Sequence, residues 1–277
     1  MLPNFIIVGA MKAGTTTLHD YLAGIEDVWI APGEVRYFSN ERNYARGLEW
    51  YERLFDPGAG TLAIGEKSPA YSYLPKVPAR IHRCLPGVKL IWIFRDPVAR
   101  TYSHYWHAAT RGKERLTFAS AIARERERVR SNILLGYMKR SLYAEQVERY
   151  LGFFPREQML FLLFEDLVRE PAAVVNRVLD FLGVPHVLEA PRVARHSNVT
   201  RAPRLVSLQW VTRTLLRRHH IAQLVQRVNR RAEPGYPRLS SEMRDQLARE
   251  FQEPNRALAR LTGLDLGAWN QPGAPQS

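Results

Sequence analysis

The feature that most constrains this chain comes at its start. Phe5-Ile6-Ile7-Val8 is apolar at every position and is bounded by Pro3 and Gly9. A strand with no polar alternation must be covered on both faces, which points to a buried parallel sheet rather than a half-solvated one. The glycine-containing loop Gly9–Thr15 follows, and then Thr16–Leu22, with Leu18 and Leu22 at helical spacing. The chain therefore opens as strand, tight loop, helix.

The same alternation continues. Leu62-Ala63-Ile64 reads as a short strand ending at Gly65-Glu66-Lys67-Ser68-Pro69, and Pro78–Leu85 as a helix. Val88–Phe94 is the strongest strand, followed by Arg95-Asp96-Pro97 and a helical stretch through Trp106. Leu142–Phe153 reads helical, Met159–Phe164 as a strand, and Pro171–Leu182 as a helix stopped by Gly183. Leu205–Val228 reads as a basic amphipathic helix or pair, and Ser240–Leu261 as a last helix, with Pro254 predicting a kink. Strands alternating with helices predict an α/β fold: three layers, P-loop-like, with a central parallel sheet flanked by helices. Ligands of such sheets sit beyond the carboxyl ends of the strands. With 277 residues, 45% apolar, and neither a linker nor a repeat, the expectation is one domain over 1–277 with a basic helical insertion at about 200–232.

Charge narrows the partners without choosing among them. The net charge is +13, and Ala190–Ala232 holds ten Arg with no Asp or Glu. Such a surplus attracts nucleic acid, membrane surfaces, acidic glycans or phosphorylated cofactors. The single cysteine, Cys84, forbids an intrachain disulfide and argues against a cysteine-rich metal site. No basic-then-apolar leader and no run near bilayer length is apparent, so a soluble, cytoplasmic protein is expected.

Four clusters carry chemistry. Gly9-Ala10-Met11-Lys12-Ala13-Gly14-Thr15-Thr16 places backbone donors, a helix N-terminus, one ammonium and two hydroxyls at one point, which makes a phosphate cradle. It departs from the nucleoside-triphosphatase loop, because Thr15 follows the second glycine and Lys12 precedes it. Arg95 ends the strongest strand, and Ser103 falls on the second turn of a helix starting at Pro97, so both could meet one phosphate. Arg95 could equally pair with Asp96. Glu34, in Gly33-Glu34-Val35-Arg36-Tyr37-Phe38, sits in a loop where a lone Glu is as a rule solvated. Lys67 follows a strand and could reach a shared cleft.

These pieces occur in one order. Residues Pro3–Gly9 with Lys12–Thr16, Glu34–Phe38, Glu66–Tyr71, Phe94–Pro97 with Ser103, Arg140–Tyr143, Phe153–Pro155 and Glu253–Asn255 together resemble the heparan sulfate sulfotransferase family, in its glucosaminyl N- and 3-O-sulfotransferase branch. The resemblance implies transfer of a sulfuryl group from 3′-phosphoadenosine 5′-phosphosulfate (PAPS) to a hydroxyl or amine of a small-molecule or glycan acceptor. The product would be adenosine 3′,5′-bisphosphate (PAP), and no metal would be required. It implies that Lys12, Ala13, Gly14, Thr15 and Thr16 bind the 5′-phosphosulfate. Arg95 and Ser103 would hold the 3′-phosphate, and Glu34 would be the base. Lys12 and Lys67 would stabilise charge.

The family closes a Lys-Gly-Arg loop over the nucleotide. The similar place here reads Asn229-Arg230-Arg231, with Arg231 matching the Arg and Arg230 in place of the Gly. Arg230 and Arg231 are expected to reach the cofactor. The family's disulfide and membrane anchor are not matched, which fits a bacterial relative.

Alternatives stay open on the residues alone. A P-loop kinase or hydrolase would need a Lys after the second glycine and a magnesium-binding Asp, which Asp96 could imitate. A non-enzymatic polyanion-binding protein would need only the charge. His19, His104, His107 and His196 are alternative bases. The basic helix could form a lid or touch a membrane surface.

Overall fold

The computed structural model describes residues 1–187, 189–191, 202–214, 229 and 235–270. In chain order its elements are β1 (Phe5–Gly9), α1 (Thr15–Leu22), β2 (Val28–Ile30), α2 (Glu41–Tyr44), α3 (Leu48–Glu52), β3 (Ala63–Lys67), α4 (Val77–Cys84) and β4 (Lys89–Phe94). These are followed by α5 (Pro97–Thr110), α6 (Phe118–Ala123), α7 (Glu125–Ser131), α8 (Tyr143–Leu151), β5 (Met159–Leu163), α9 (Phe164–Arg169), α10 (Pro171–Leu182), α11 (Val206–Thr214) and α12 (Ser241–Thr262). The strands form one sheet in the order β2-β3-β1-β4-β5, and every pairing is parallel. This is the α/β fold with a helix-flanked parallel sheet that the alternation predicted.

All five positions of β1 are buried, as its unbroken apolar run requires. The helices lie on both faces. On one face α1 packs on α10, and Ile93 of β4 reaches toward the start of α1. On the other face Trp92 meets Tyr150 of α8 edge-on at 4.9 Å, and the rings of Phe94 and Tyr143 are also 4.9 Å apart. The helix α12 packs on α8 and runs unbroken through Pro254. A second apolar cluster gathers Val98, Tyr105 and Trp106 of α5 against Leu247 and Phe251 of α12.

The sheet also departs from the sequence reading. Val28–Ile30 forms a strand three residues long, too short for its alternation to stand out. The strand read as ending at Gly65 continues through Glu66 and Lys67, both buried. The physical reason is that Glu66 finds three hydroxyl partners inside the fold, so polarity does not force it to the surface. Gly65 is required where the Phe5 ring crosses, since a Cβ there would come within 2.2 Å of it. The expected helix over Leu205–Val228 is present over Val206–Thr214, and its remainder lies outside the described residues.

The chain leaves β1 toward β2 on one side of the sheet and leaves β4 toward β5 on the other. The order therefore reverses between β1 and β4, and the crevice beyond their carboxyl ends is where a ligand fits such a sheet.

Candidate functional site

A cleft of about 1580 Å³ opens at that edge. Its lining includes Lys12, Gly14, Thr15 and Thr16 from the first loop, Arg95 and Ser103 from β4 and α5, and Glu34 and Arg36 from the loop after β2. Residues far apart in sequence thus meet in one space.

The first loop is shaped by its backbone. Lys12 has φ 71° and Gly14 φ 88°, both left-handed. A Cβ on Gly14 would lie 2.6 Å from the Phe164 ring, so both conformation and space demand glycine. The same ring carries the Arg95 guanidinium at 4.7 Å. The loop's own carbonyls are held from behind. Arg95 Nη1 donates to Lys12 O at 3.5 Å, and Arg100 Nη1 donates to Met11 O at 3.3 Å. Arg100 is fully buried, and its other donors go to Ser141 Oγ at 2.6 Å and to the Tyr137 carbonyl. In α1 the first amide bond within the helix is Leu18 N–H to Gly14 O at 3.0 Å. The amides of Thr15, Thr16 and Thr17 precede that bond at the helix N-terminus, a ready anion site.

The charge of Asp96 favours the Arg95 guanidinium, as that of Glu165 does more strongly, and Asp96 Oδ2 lies 3.9 Å from Arg244 Nη1. The Asp96 carboxylate also caps α5, accepting from Val98 N–H at 2.7 Å and Ala99 N–H at 3.0 Å. The helix that follows carries Ser103 to the cleft.

The cations of the site crowd one another. Burial, and then the charges of Arg111, Arg95 and Arg100, hold the Lys12 ammonium down at about 8. Burial likewise lowers His104, and it lowers His107 to about 3, with Lys12, Arg111 and Lys113 adding to the His107 shift. Both imidazoles line the cleft and stay neutral at pH 7. The lining holds the cations Lys12, Arg36, Arg95, Arg111, Lys113 and Arg140 and, among the described residues, one carboxylate, Glu34. This composition suits a polyanion.

The Glu34 carboxylate accepts from Arg36 Nε at 2.7 Å and also from Nη2, so the guanidinium fixes its orientation. Lys67 does not line the cleft. It is buried, and its ammonium donates to Thr16 Oγ1 at 3.0 Å, one step behind the wall. Its pKa is lowered by burial and raised by Glu34 and Asp20. Ala13 also faces away. Its side chain is in the core, and its N–H closes a turn on Ala10 O at 3.2 Å. Arg230, Arg231 and His196 lie outside the described residues. His19 is occupied by Asp20 at 2.9 Å and the Ala31 carbonyl at 3.1 Å.

The structure adds Arg36, Arg111, Lys113 and Arg140 to the site. Arg36 and Arg140 already stand in the matching stretches Glu34–Phe38 and Arg140–Tyr143, and Arg111 carries a signal of spacing. Ser103, His107 and the C-cap Arg111 recur at intervals of four along α5 and its end. The described residues hold no cluster of His, Cys, Asp and Glu able to bind a metal, and no described helix is long and apolar enough to cross a membrane.

Residues 2–259 match the family described as "Sulfotransferase domain". The mouse protein named heparan sulfate glucosamine 3-O-sulfotransferase 3B1 is 31% identical over 268 residues, which cover 96% of this chain and 65% of that protein. The human protein of the same name is 34% identical over 187 residues, covering 68% of this chain and 47% of that protein. The chain thus spans less than two thirds of these relatives' length. A sulfotransferase crystal structure from Alicyclobacillus acidocaldarius superposes with TM-score 0.74 at 29% identity, covering 98% of this chain and 100% of that one. The sulfotransferase domain of the curacin biosynthetic pathway, at 16% identity and TM-score 0.52, shares the fold.

Proposed function

The chain belongs to the sulfotransferase family and carries its PAPS-dependent domain, and from that premise we propose that residues 1–277 act as one catalytic unit that sulfates a hydroxyl or amine of an anionic, carbohydrate-type acceptor. The observation that carries this reading is the meeting of Lys12, Thr15, Thr16, Arg95 and Ser103 with Glu34 and Arg36 around one cleft.

The donor set suits the donor molecule. Two phosphate-bearing positions need two sets of cations and hydroxyls. Lys12 with Thr15 and Thr16 forms one set, and Arg95 with Ser103 forms the other. When bound, PAPS supplies the sulfuryl group, with PAP as the leaving molecule. Glu34 takes the proton of the acceptor hydroxyl or amine as its oxygen or nitrogen bonds to sulfur. Arg36 keeps that carboxylate aimed at the cleft. Lys12 stabilises the negative charge left on the 5′-phosphate oxygen when its bond to sulfur breaks. Lys67 acts through Thr16, holding its hydroxyl and adding positive potential from behind. In-line transfer with a loose transition state gains mostly from such positioning and electrostatics.

The acceptor class rests on the outer wall. Arg36, Arg111 and Lys113 line it, and one carboxylate opposes them. A sugar bearing sulfate, carboxylate or phosphate groups matches that wall, as does the likeness to enzymes named for heparan sulfate.

Calorimetric titration with PAP, using ATP as control and no magnesium, tests the donor half. Tight PAP binding with weak ATP binding is the expected result, and preference for ATP would overturn the reading. For the base, Glu34→Gln is expected to keep PAP affinity and lose about 10²–10⁴-fold in kcat. Near-normal turnover would remove Glu34 from that role.

A further inference from the structure

Glu66 is charged chemistry in an unexpected place. It sits in β3, fully buried, between the strands β2 and β1. Three hydroxyls converge on its two oxygens. Tyr51 donates to Oε1 at 2.6 Å, Tyr71 donates to Oε1 at 3.1 Å, and Ser68 donates to Oε2 at 2.8 Å. Two of these donors are themselves acceptors for the loop that carries Glu34. Arg36 N–H donates to Ser68 Oγ at 3.0 Å, and Phe38 N–H donates to Tyr71 Oη at 3.2 Å. Two relays thus run from the loop backbone, through a hydroxyl, to one carboxylate.

The loop needs holding. Arg36 has φ 55°, a left-handed conformation that a non-glycine residue keeps only where its surroundings enforce it. Tyr37 stacks on Tyr51 with centroids 4.4 Å apart, so the third hydroxyl partner also braces this segment.

We propose that Glu66 is a positioning residue whose carboxylate orients the Ser68 and Tyr71 hydroxyls so that they grip the amides of Arg36 and Phe38, holding Glu34 at the cleft. This rests on the reading of Glu34 as the base. An ionised carboxylate is the group suited to the task, because it only accepts and takes all three hydroxyl protons. An amide in its place turns a donor toward one relay, and the hydroxyl there must find another acceptor. Burial raises the Glu66 carboxyl to about 7, so the ionised form prevails at pH 8. The titratable groups facing it are Tyr51, Tyr71 and, from α8, Tyr150.

Amide hydrogen exchange at pH 8 on the whole chain tests this without relying on turnover. Glu66→Gln is expected to speed exchange at Arg36 and Phe38 by about tenfold, the loss of roughly one hydrogen bond. It should lower kcat by a similar factor while leaving PAP affinity within about threefold. Ser68→Ala cuts one relay and keeps the carboxylate, so it should speed exchange at Arg36 and spare Phe38. Unchanged exchange at both amides in Glu66→Gln would overturn the proposal whatever turnover does. Faster exchange with full turnover would instead leave the grip standing and sink the reading of Glu34 as base.

Discussion

Lys12 offers the sharpest quantitative test of the cradle. Its ammonium is held at about 8 rather than 10.5 by burial and by Arg111, Arg95 and Arg100. A polyanion bound among those groups reverses the balance and returns Lys12 toward its ordinary value, because opposite charge favours the protonated form. With a bound value near 10.5, PAP binding at pH 9 should take up about 0.9 proton, against about 0.1 at pH 7. Affinity should weaken by about tenfold from pH 7 to pH 9 on the same arithmetic.

The assay is calorimetry at pH 9 in two buffers of different ionisation enthalpy, with Lys12→Met as the comparison. A phosphate's second proton leaves near pH ~6, so the ligand itself contributes nothing at pH 9. The sign for stability is opposite. A lysine whose folded value is depressed binds fewer protons folded than unfolded between about 8 and 10.5, so its contribution to stability rises with pH across that window. Thermal melts of the free protein should show that component, and Lys12→Met should lack it. Proton uptake at pH 9 that is equal in wild type and Lys12→Met would refute the reasoning.

Three further outcomes follow from the site. Arg95→Met should erase about 10–100-fold of the preference for PAP over adenosine 5′-monophosphate, measured by competition binding, since a charge-assisted bond to one phosphate is lost. The double reversal Arg111→Glu with Lys113→Glu should raise the acceptor KM by about tenfold at low salt and much less in 0.5 M salt, where the Debye length is only a few ångströms. An unchanged KM would remove those residues from acceptor recognition. The wild-type kcat profile should fall below about pH 7 as Glu66 gains a proton, because a buried carboxyl raised to about 7 is ionised only above it. Glu66→Gln should lack that limb.

What was legible in the sequence follows from how local its cause was. The apolar runs of β1, β4 and β5 announce buried parallel strands because no polar position interrupts them. The Lys12 loop is readable because glycine, lysine and threonine act there on their own backbone. Asp96 shows the limit. Beside Arg95 in sequence it looks like a neutralising partner, but its carboxylate also caps α5, which depends on where a helix begins. Charge signals surface, so Glu66 and Lys67 look like loop residues, and their burial depends on Tyr51 and Thr16, which lie 15 and 51 residues away. Arg111 continues the spacing of Ser103 and His107, but Lys113 joins the cleft only through the direction the chain takes after α5. No local pattern encodes that direction.

The reversal of strand order between β1 and β4 has a consequence for how such a chain can change over time. The groups suited to the nucleotide hang on the ends of two central strands, locked by neighbours such as Phe164 and Arg100. The outer wall comes from the far end of α5 and the turn beyond it, where Arg111 is exposed to solvent. Mutational drift in that outer stretch can retune which molecule is modified while the donor machinery stays intact. A library randomised from His107 to Lys113 is therefore the economical place to search for new acceptors.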